Sequence, residues 1–282
     1  MRNNKERMGA PSSAPAPTSA VLEEANQETK QFSFVNPTEF VEIPSSGRFY
    51  PEGHALHNCE TIEIRHMTAK DEDILTSQSL IKKGVAVDRM LSNIIVDKNI
   101  NIKDLYLGDK NALLVAARIT GYGAEYSATI SCPACGASTK NAFDLQEVLD
   151  SGTSHDLDTI SSDGTFTINL PKLDVGVQVR VLTAADEQRM LSLSKRKKKD
   201  GLGETPWTDQ LRNIIVSVEG VDDPKVLSAL IENMPAFDSR HLRNEYQRNC
   251  PNIDMSQNFN CQECGAVEEV SVPLTAEFFW PR

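Results

Sequence analysis

The chain has 282 residues, with 29 Lys and Arg against 40 Asp and Glu, a formal net charge of −11. That balance argues against bulk nucleic-acid binding, which needs clustered positive charge on a contact face. A hydrophobic content of 39% excludes a wholly disordered chain and leaves room for two modest cores, while no apolar run reaches the ~18 to 20 residues of a membrane helix.

The N-terminus, Met1-Arg-Asn-Asn-Lys-Glu-Arg7, lacks the apolar segment of a secretory signal, so a reducing cytoplasm is the expected compartment. Residues 1–31 mix Ala, Pro, Ser, Asn and Glu without apolar periodicity and read as a disordered arm, with Val21-Leu22 a short anchor at most. Order is expected from Phe32-Ser-Phe-Val35 onward, opening a first unit over 32–148. Ser45 to Gly53 has the composition of a long hairpin turn. Thr61-Ile-Glu-Ile-Arg65 alternates as a half-buried strand, and Thr68 with Asp71 three residues on is a capping-box-like helix start. That helix should turn Ile74, Leu75 and Leu80 inward. Asn93-Ile-Ile-Val96 is a short apolar segment. Asp109 stands where an N-cap belongs, ahead of Leu113-Leu-Val-Ala-Ala117, and Gly121 is placed to end that helix. A strand, the turn Cys132-Pro-Ala-Cys-Gly136 and a returning strand at Asn141–Leu145 close the unit.

Residues 149–164, rich in Ser, Asp, Thr and Gly, read as a linker. A second unit over 165–282 then repeats the series. Ile168-Asn-Leu-Pro171 matches Val41-Glu-Ile-Pro44, the strand Val177–Val181 runs into Thr183 and Asp186, and Met190, Leu191 and Leu193 are the inward helical positions. Asn213-Ile-Ile-Val216 repeats Asn93-Ile-Ile-Val96 unchanged. Asp238 to Cys264 matches Asp109 to Cys135 at one offset, since 238 − 109 = 129 and 264 − 135 = 129. Asp238 is the second expected N-cap, ahead of Leu242–Tyr246; Cys261-Gln-Glu-Cys-Gly265 and a strand at Val270–Leu274 follow. Four matches in one order point to an internal duplication. The second unit also inserts Lys195-Arg-Lys-Lys-Lys199 and Gly201-Leu-Gly203, and carries Phe278-Phe-Trp-Pro281, aromatics that either pack back on the second unit or dock on a partner. The expected fold is α+β, two similar tandem halves, each a small helix and strand unit ending in a C-x-x-C-G zinc-knuckle hairpin.

Each C-x-x-C pair can supply two of the four thiolates of a closed zinc site, the following Gly allowing the turn that aims amides at sulfur. Cys135 and Cys261 are 261 − 135 = 126 residues apart, far beyond the ~15 to 20 of a local zinc ribbon. A pseudo-two-fold between the halves removes the difficulty, because that gap is one repeat long. One structural zinc on Cys132, Cys135, Cys261 and Cys264 is the favoured reading, against thiols without metal or a redox pair; no thioredoxin-like βαβ pattern supports the last. Cys59, with His54 and His57 nearby, offers a second metal site, against which an isolated loop residue is the favoured reading, and Cys250 reads as a buried or semi-buried thiol. The five His form no H-E-x-x-H, and no G-x-S-x-G, P-loop or deaminase H-x-E is present, so an enzyme is not expected. The Lys195–Lys199 run reads as a solvated helix end favoured by the dipole.

Pro44-Ser-Ser-Gly-Arg-Phe-Tyr-Pro51, Ile64-Arg-His-Met-Thr-Ala-Lys-Asp-Glu-Asp-Ile-Leu75, Leu80-Ile-Lys-Lys-Gly84, Gly108-Asp-Lys-Asn-Ala-Leu113, Ala117-Arg-Ile-Thr-Gly-Tyr-Gly123 and Cys132-Pro-Ala-Cys-Gly136 together resemble the baseplate hub assembly proteins of T-even-type contractile-tailed bacteriophages. The likeness is specific over about Val41 to Leu145 and weaker in the second unit. It implies a viral tail structural or assembly protein, made in the host bacterial cytoplasm, acting where the baseplate hub is built, in the virion or as a chaperone. Its partners would be other tail and hub proteins, with no membrane and no catalytic residues. The alternative is a zinc-ribbon adaptor for nucleic acid or transcription machinery, against which the acidic balance counts.

Overall fold

The computed structural model describes residues 35–150, 156–201, 203, 205–273 and 278–279. The predicted arm 1–31 with Val21-Leu22, residues Phe32 to Phe34, the linker residues 151–155, Leu202 and Trp280 lie outside them. Pro37–Arg282 forms one compact unit; of Met1–Asn36 only Val35 and Asn36 are described.

β1 (Thr38–Glu42) pairs antiparallel with β2 (Thr61–Arg65), Val41 facing Ile62 and Glu39 facing Ile64. Period-two alternation buries Ile62 and Ile64 on one face. Three short helices follow, α1 (Ala69–Thr76), α2 (Gln78–Lys83) and α3 (Ala86–Ile94). In α3 the buried residues Ala86, Met90, Leu91 and Ile94 recur at helical spacing, which holds that face on the core. α4 (Leu107–Tyr122) leads to the hairpin β3 (Glu125–Ser131) and β4 (Ser138–Asp144), then α5 (Leu145–Asp150). β5 (Thr165–Leu170) and β6 (Val175–Arg180) pair antiparallel, and β7 (Ile215–Val218) adds a third strand on β6. α6 (Ala184–Lys199) and α7 (Pro206–Ile214) lie between β6 and β7 in the chain. α8 (Pro224–Asn233) and α9 (Ala236–Asn249) precede the hairpin β8 (Ser256–Asn260) and β9 (Val267–Ser271). The fold is mixed helix and strand with small separate sheets, as the α+β expectation had it.

The helix starts at Thr68 and Thr183 are built alike. Asp71 accepts from the Thr68 amide at 2.8 Å and holds both ends of the Arg65 guanidinium at 2.7 and 3.0 Å. Asp186 accepts from the Thr183 amide at 3.0 Å and grips Arg180 at 2.8 and 2.9 Å. Burial opposes charge on each carboxylate. The paired guanidinium and cap donors, joined at Asp71 by Asn93, outweigh it and hold both acids at about 2.

Four sequence expectations change. Asp109 and Asp238 are not N-caps: Tyr106 and Pro235 hold those positions, and each Asp is the third residue of its helix, fully buried. Their carboxylates turn away from their own helix to bind distant loops. Asp109 accepts from the Ser45 amide at 2.9 Å, the Ser45 hydroxyl at 2.7 Å and the Tyr50 hydroxyl at 2.7 Å. Asp238 accepts from the amides of Lys172 and Leu173, each at 2.9 Å. Gly121 lies inside α4, which ends at Gly123 with φ +85°; the space above Gly121 is taken by the Met67 sulfur. Leu191 and Leu193 are exposed, because α6 continues through Lys195–Lys199 into solvent beyond the body that buries Ala184. Leu80 sits on α2, half-buried, rather than on the helix of Leu75.

Two apolar cores result. One gathers β1, β2, α3, α4 and the β3–β4 hairpin, together with Ile253, Val272, Phe278 and Phe279 from the end of the chain. Phe278 meets Tyr126 edge-on at 5.1 Å between centroids. These two aromatics therefore pack in the first core, where the sequence offered the second unit or a partner. The second core gathers β5, β6, β7, α7, Ile231 of α8 and α9 with Phe49 from the opening hairpin turn. Backbone bonds Leu107 N to Leu182 O at 3.0 Å and Ala184 N to Leu105 O at 2.8 Å stitch the cores together. Beside them Lys110, nearly buried, meets Asp88 and Glu187 at 2.7 Å each.

Candidate metal centre

Two tight turns carry the cysteines. In the first, between β3 and β4, the Cys132 amide donates to Ala137 O at 2.8 Å and the Gly136 amide to Cys132 O at 2.8 Å. In the second, between β8 and β9, Cys261 N reaches Ala266 O at 2.9 Å and Gly265 N reaches Cys261 O at 2.9 Å. Gly136 and Gly265 have φ of +75° and +71°. A left-handed residue closes each turn, which glycine adopts without a Cβ penalty.

The turns face each other. Cys132 Sγ lies 3.8 Å from Cys264 Sγ, Cys135 Sγ lies 3.8 Å from Cys261 Sγ, and all four sulfurs fall within 4.8 Å of one another. Sulfurs ~2.3 Å from a central ion at tetrahedral angles would be separated by about 3.8 Å. The donor set therefore fits one tetrahedral ion. Cys132 and Cys261 are buried while Cys135 and Cys264 are exposed, so the cluster has an inner and an outer pair. The amide of Cys264 favours the thiolate at Cys261 and brings it down to about 7. At Cys135 the Ala137 amide pulls the same way, but bonds shared with the other sulfurs push it up to about 12. Loading an ion on such a set expels protons, so affinity should rise with pH.

Beneath the sulfurs, Phe259 is buried with Cys132 and Cys261, and Ile130 and Val270 pack against them. Ile130 and Phe259 are not among the residues singled out above, yet the sequence carries a signal for them. Ile130 and Phe259 each stand two residues before the first cysteine of a turn, on the same strand face. The remaining predicted groups do not assemble. His54 accepts from the Leu56 amide and stacks on Tyr50, His57 Nδ1 is 2.7 Å from Tyr50 O, and the Cys59 thiol points to Ala55 O. Cys250 is half-buried, and burial lifts its thiol to about 11. His155 lies outside the described residues. Among the described residues the four thiols are the group of His, Cys, Asp or Glu side chains that could hold an ion, and no helix is long and apolar enough to cross a membrane.

The fold and the site define a mixed helix and strand protein with a four-thiol cluster suited to a metal ion. The family model described as T4 bacteriophage base plate protein matches residues 36–280, and the chain belongs to that family. Comparisons with curated proteins and with solved structures find no match.

Proposed function

We propose that the chain is a structural or assembly protein of the baseplate hub, working through contacts with other tail proteins rather than by catalysis, and carrying one structural zinc on Cys132, Cys135, Cys261 and Cys264. The match of the base plate family to residues 36–280 is the observation that carries the reading. Four thiolates would complete the coordination shell and leave no position for a substrate, which suits an ion that stabilises. Soft sulfur donors in a tetrahedron favour zinc among abundant ions.

We read the chain as an arm at 1–31, a first repeat at 32–148, a linker at 149–164 and a second repeat at 165–282. Three recurring devices support duplication: Arg65–Asp71–Thr68 with Arg180–Asp186–Thr183, Asp109 with Asp238 as loop anchors, and the paired knuckles. In this reading the chain is made in the host bacterial cytoplasm and joins, or helps to build, the tail. The test is a pull-down of the tagged full-length chain from infected cells. Tail and hub proteins should co-purify; recovery of nucleic acid or polymerase alone would support the zinc-ribbon adaptor instead.

A further inference from the structure

Beside β1 lies a groove of about 870 Å³ that every residue from Glu39 to Pro44 lines. Consecutive backbone lines a groove where a sheet edge is open, and β1 has β2 alone as its partner among the described residues. The Ile43 amide donates to Glu60 O and the His66 amide to Pro37 O, each at 2.9 Å. In the register of this hairpin, positions 37, 39, 41 and 43 therefore bond inward to β2. Antiparallel pairing alternates, so the amides and carbonyls of Thr38, Phe40 and Glu42 face the groove side. Phe40 is 69% exposed on this edge.

The chemistry of the walls is one-sided. Glu39, Glu42, Glu60 and Asp150 line the groove, and no Lys or Arg does so among the described residues. None of the four is in an ion pair among the described residues. Ile119, Leu149 and Ile253 supply an apolar floor. Glu39 is half-buried, and burial raises its carboxyl against the opposing pull of His66.

In the proposed second repeat, β5 takes the place of β1. Phe166 is buried there and stacks on Tyr246 with centroids 5.9 Å apart. Pairing Val41 with Ile168 and Asp109 with Asp238 sets Glu39 against Phe166 and Ala117 against Tyr246. A buried aromatic pair in one half thus stands opposite a carboxylate and a methyl group in the other. That comparison rests on the proposed duplication; the groove does not.

We propose that the open edge of β1 is a docking site for an extended, Lys- or Arg-bearing segment of another protein, added as a third strand beside β1. Main-chain bonds to Thr38, Phe40 and Glu42 would align the segment. Cationic side chains would meet the four carboxylates, and alternate apolar ones would rest on the floor. At about 3.4 Å per residue, β1 engages a segment of roughly five residues.

The test uses the full chain and a labelled, end-blocked peptide of alternating Lys and Val, seven residues long, with binding read by fluorescence anisotropy. Two control peptides replace Lys by Glu or carry N-methyl groups on alternate amides. The parent peptide should saturate, and each control should bind at least tenfold more weakly. Glu39→Lys with Glu42→Lys should cost at least tenfold, and Phe40→Pro, which deletes an outward amide while keeping all four charges, should cost a similar factor. Glu42→Lys alone, at an exposed position, keeps the charge test readable if the double variant unfolds. Equal binding of the parent and N-methylated peptides, no saturable binding, or indifference to Glu42→Lys would overturn the proposal. Self-association of the chain that the peptide displaces would assign the edge to a second copy and overturn it equally. The readout is independent of any role in the hub.

Discussion

Replacing Asp71 or Asp186 by Asn tests whether the two Arg–Asp–Thr corners hold the β2–α1 and β6–α6 junctions as the geometry implies. Both carboxylates are essentially buried, their Arg partners are 21% and 32% exposed, and both acids sit at about 2 against an ordinary 3.8. At about 1.4 kcal/mol per pH unit, each charged form contributes roughly 2 kcal/mol more than its neutral form. A folded-state value below the unfolded one means stability that is complete above about pH 4 and lost as pH falls through about 2. Asn mimics the neutral acid. Asp71→Asn and Asp186→Asn should therefore each destabilise by about 2 kcal/mol at pH 7, and the deficit should shrink toward zero near pH 2. Urea unfolding at a series of pH values, followed by circular dichroism with chelator present throughout, measures the difference between variant and parent chains. A deficit that stays constant from pH 7 to pH 2, or one below about 1 kcal/mol at pH 7, would refute the reasoning, since exposed surface pairs give about 0–1 kcal/mol.

Elemental analysis of the purified chain should find close to one zinc, with Cys132→Ser and Cys261→Ser each lowering it and loosening the same interface; protease cutting confined to the mutated half would count against a shared ion. Gly108→Ala should destabilise by about 1–3 kcal/mol or more, because a Cβ there would lie 2.0 Å from the Pro251 carbonyl oxygen; thermal unfolding reads it. Phe278→Ala should cost about 3–5 kcal/mol and, in hydrogen exchange, open α4 and β3 rather than the β5–β6–β7 sheet. A loss confined to that sheet would contradict the core assignment.

The features legible in the sequence were those set by neighbours along the chain. Thr68 and Asp71, or Thr183 and Asp186, lie within one helical turn, and β2 is a strict alternation of five residues. The meeting of the cysteines was legible for another reason: the recurring residue matches, read as a duplication, suggested a symmetry that local spacing lacked. What misled was non-local. Asp109 has the residue type of a cap, but its partners Ser45 and Tyr50 lie more than fifty residues away and no periodicity records them. Leu191 and Leu193, two residues apart, cannot share one face of a helix that also outruns its support, so apolar type there does not imply burial. The outer edge of β1, which has no strand partner among the described residues, carries no motif, since an edge is defined by what does not pair with it.

The presence of Val272, Phe278 and Phe279 in the first core has a consequence for synthesis. Val148 of that core emerges from the ribosome far ahead of them, with the whole second core translated in between. At about 5–20 residues per second the delay is roughly ten seconds. Until then the nascent chain presents an apolar face that its own tail will later cover. The order of translation thus makes completion of the first core wait on residues that follow the whole second core.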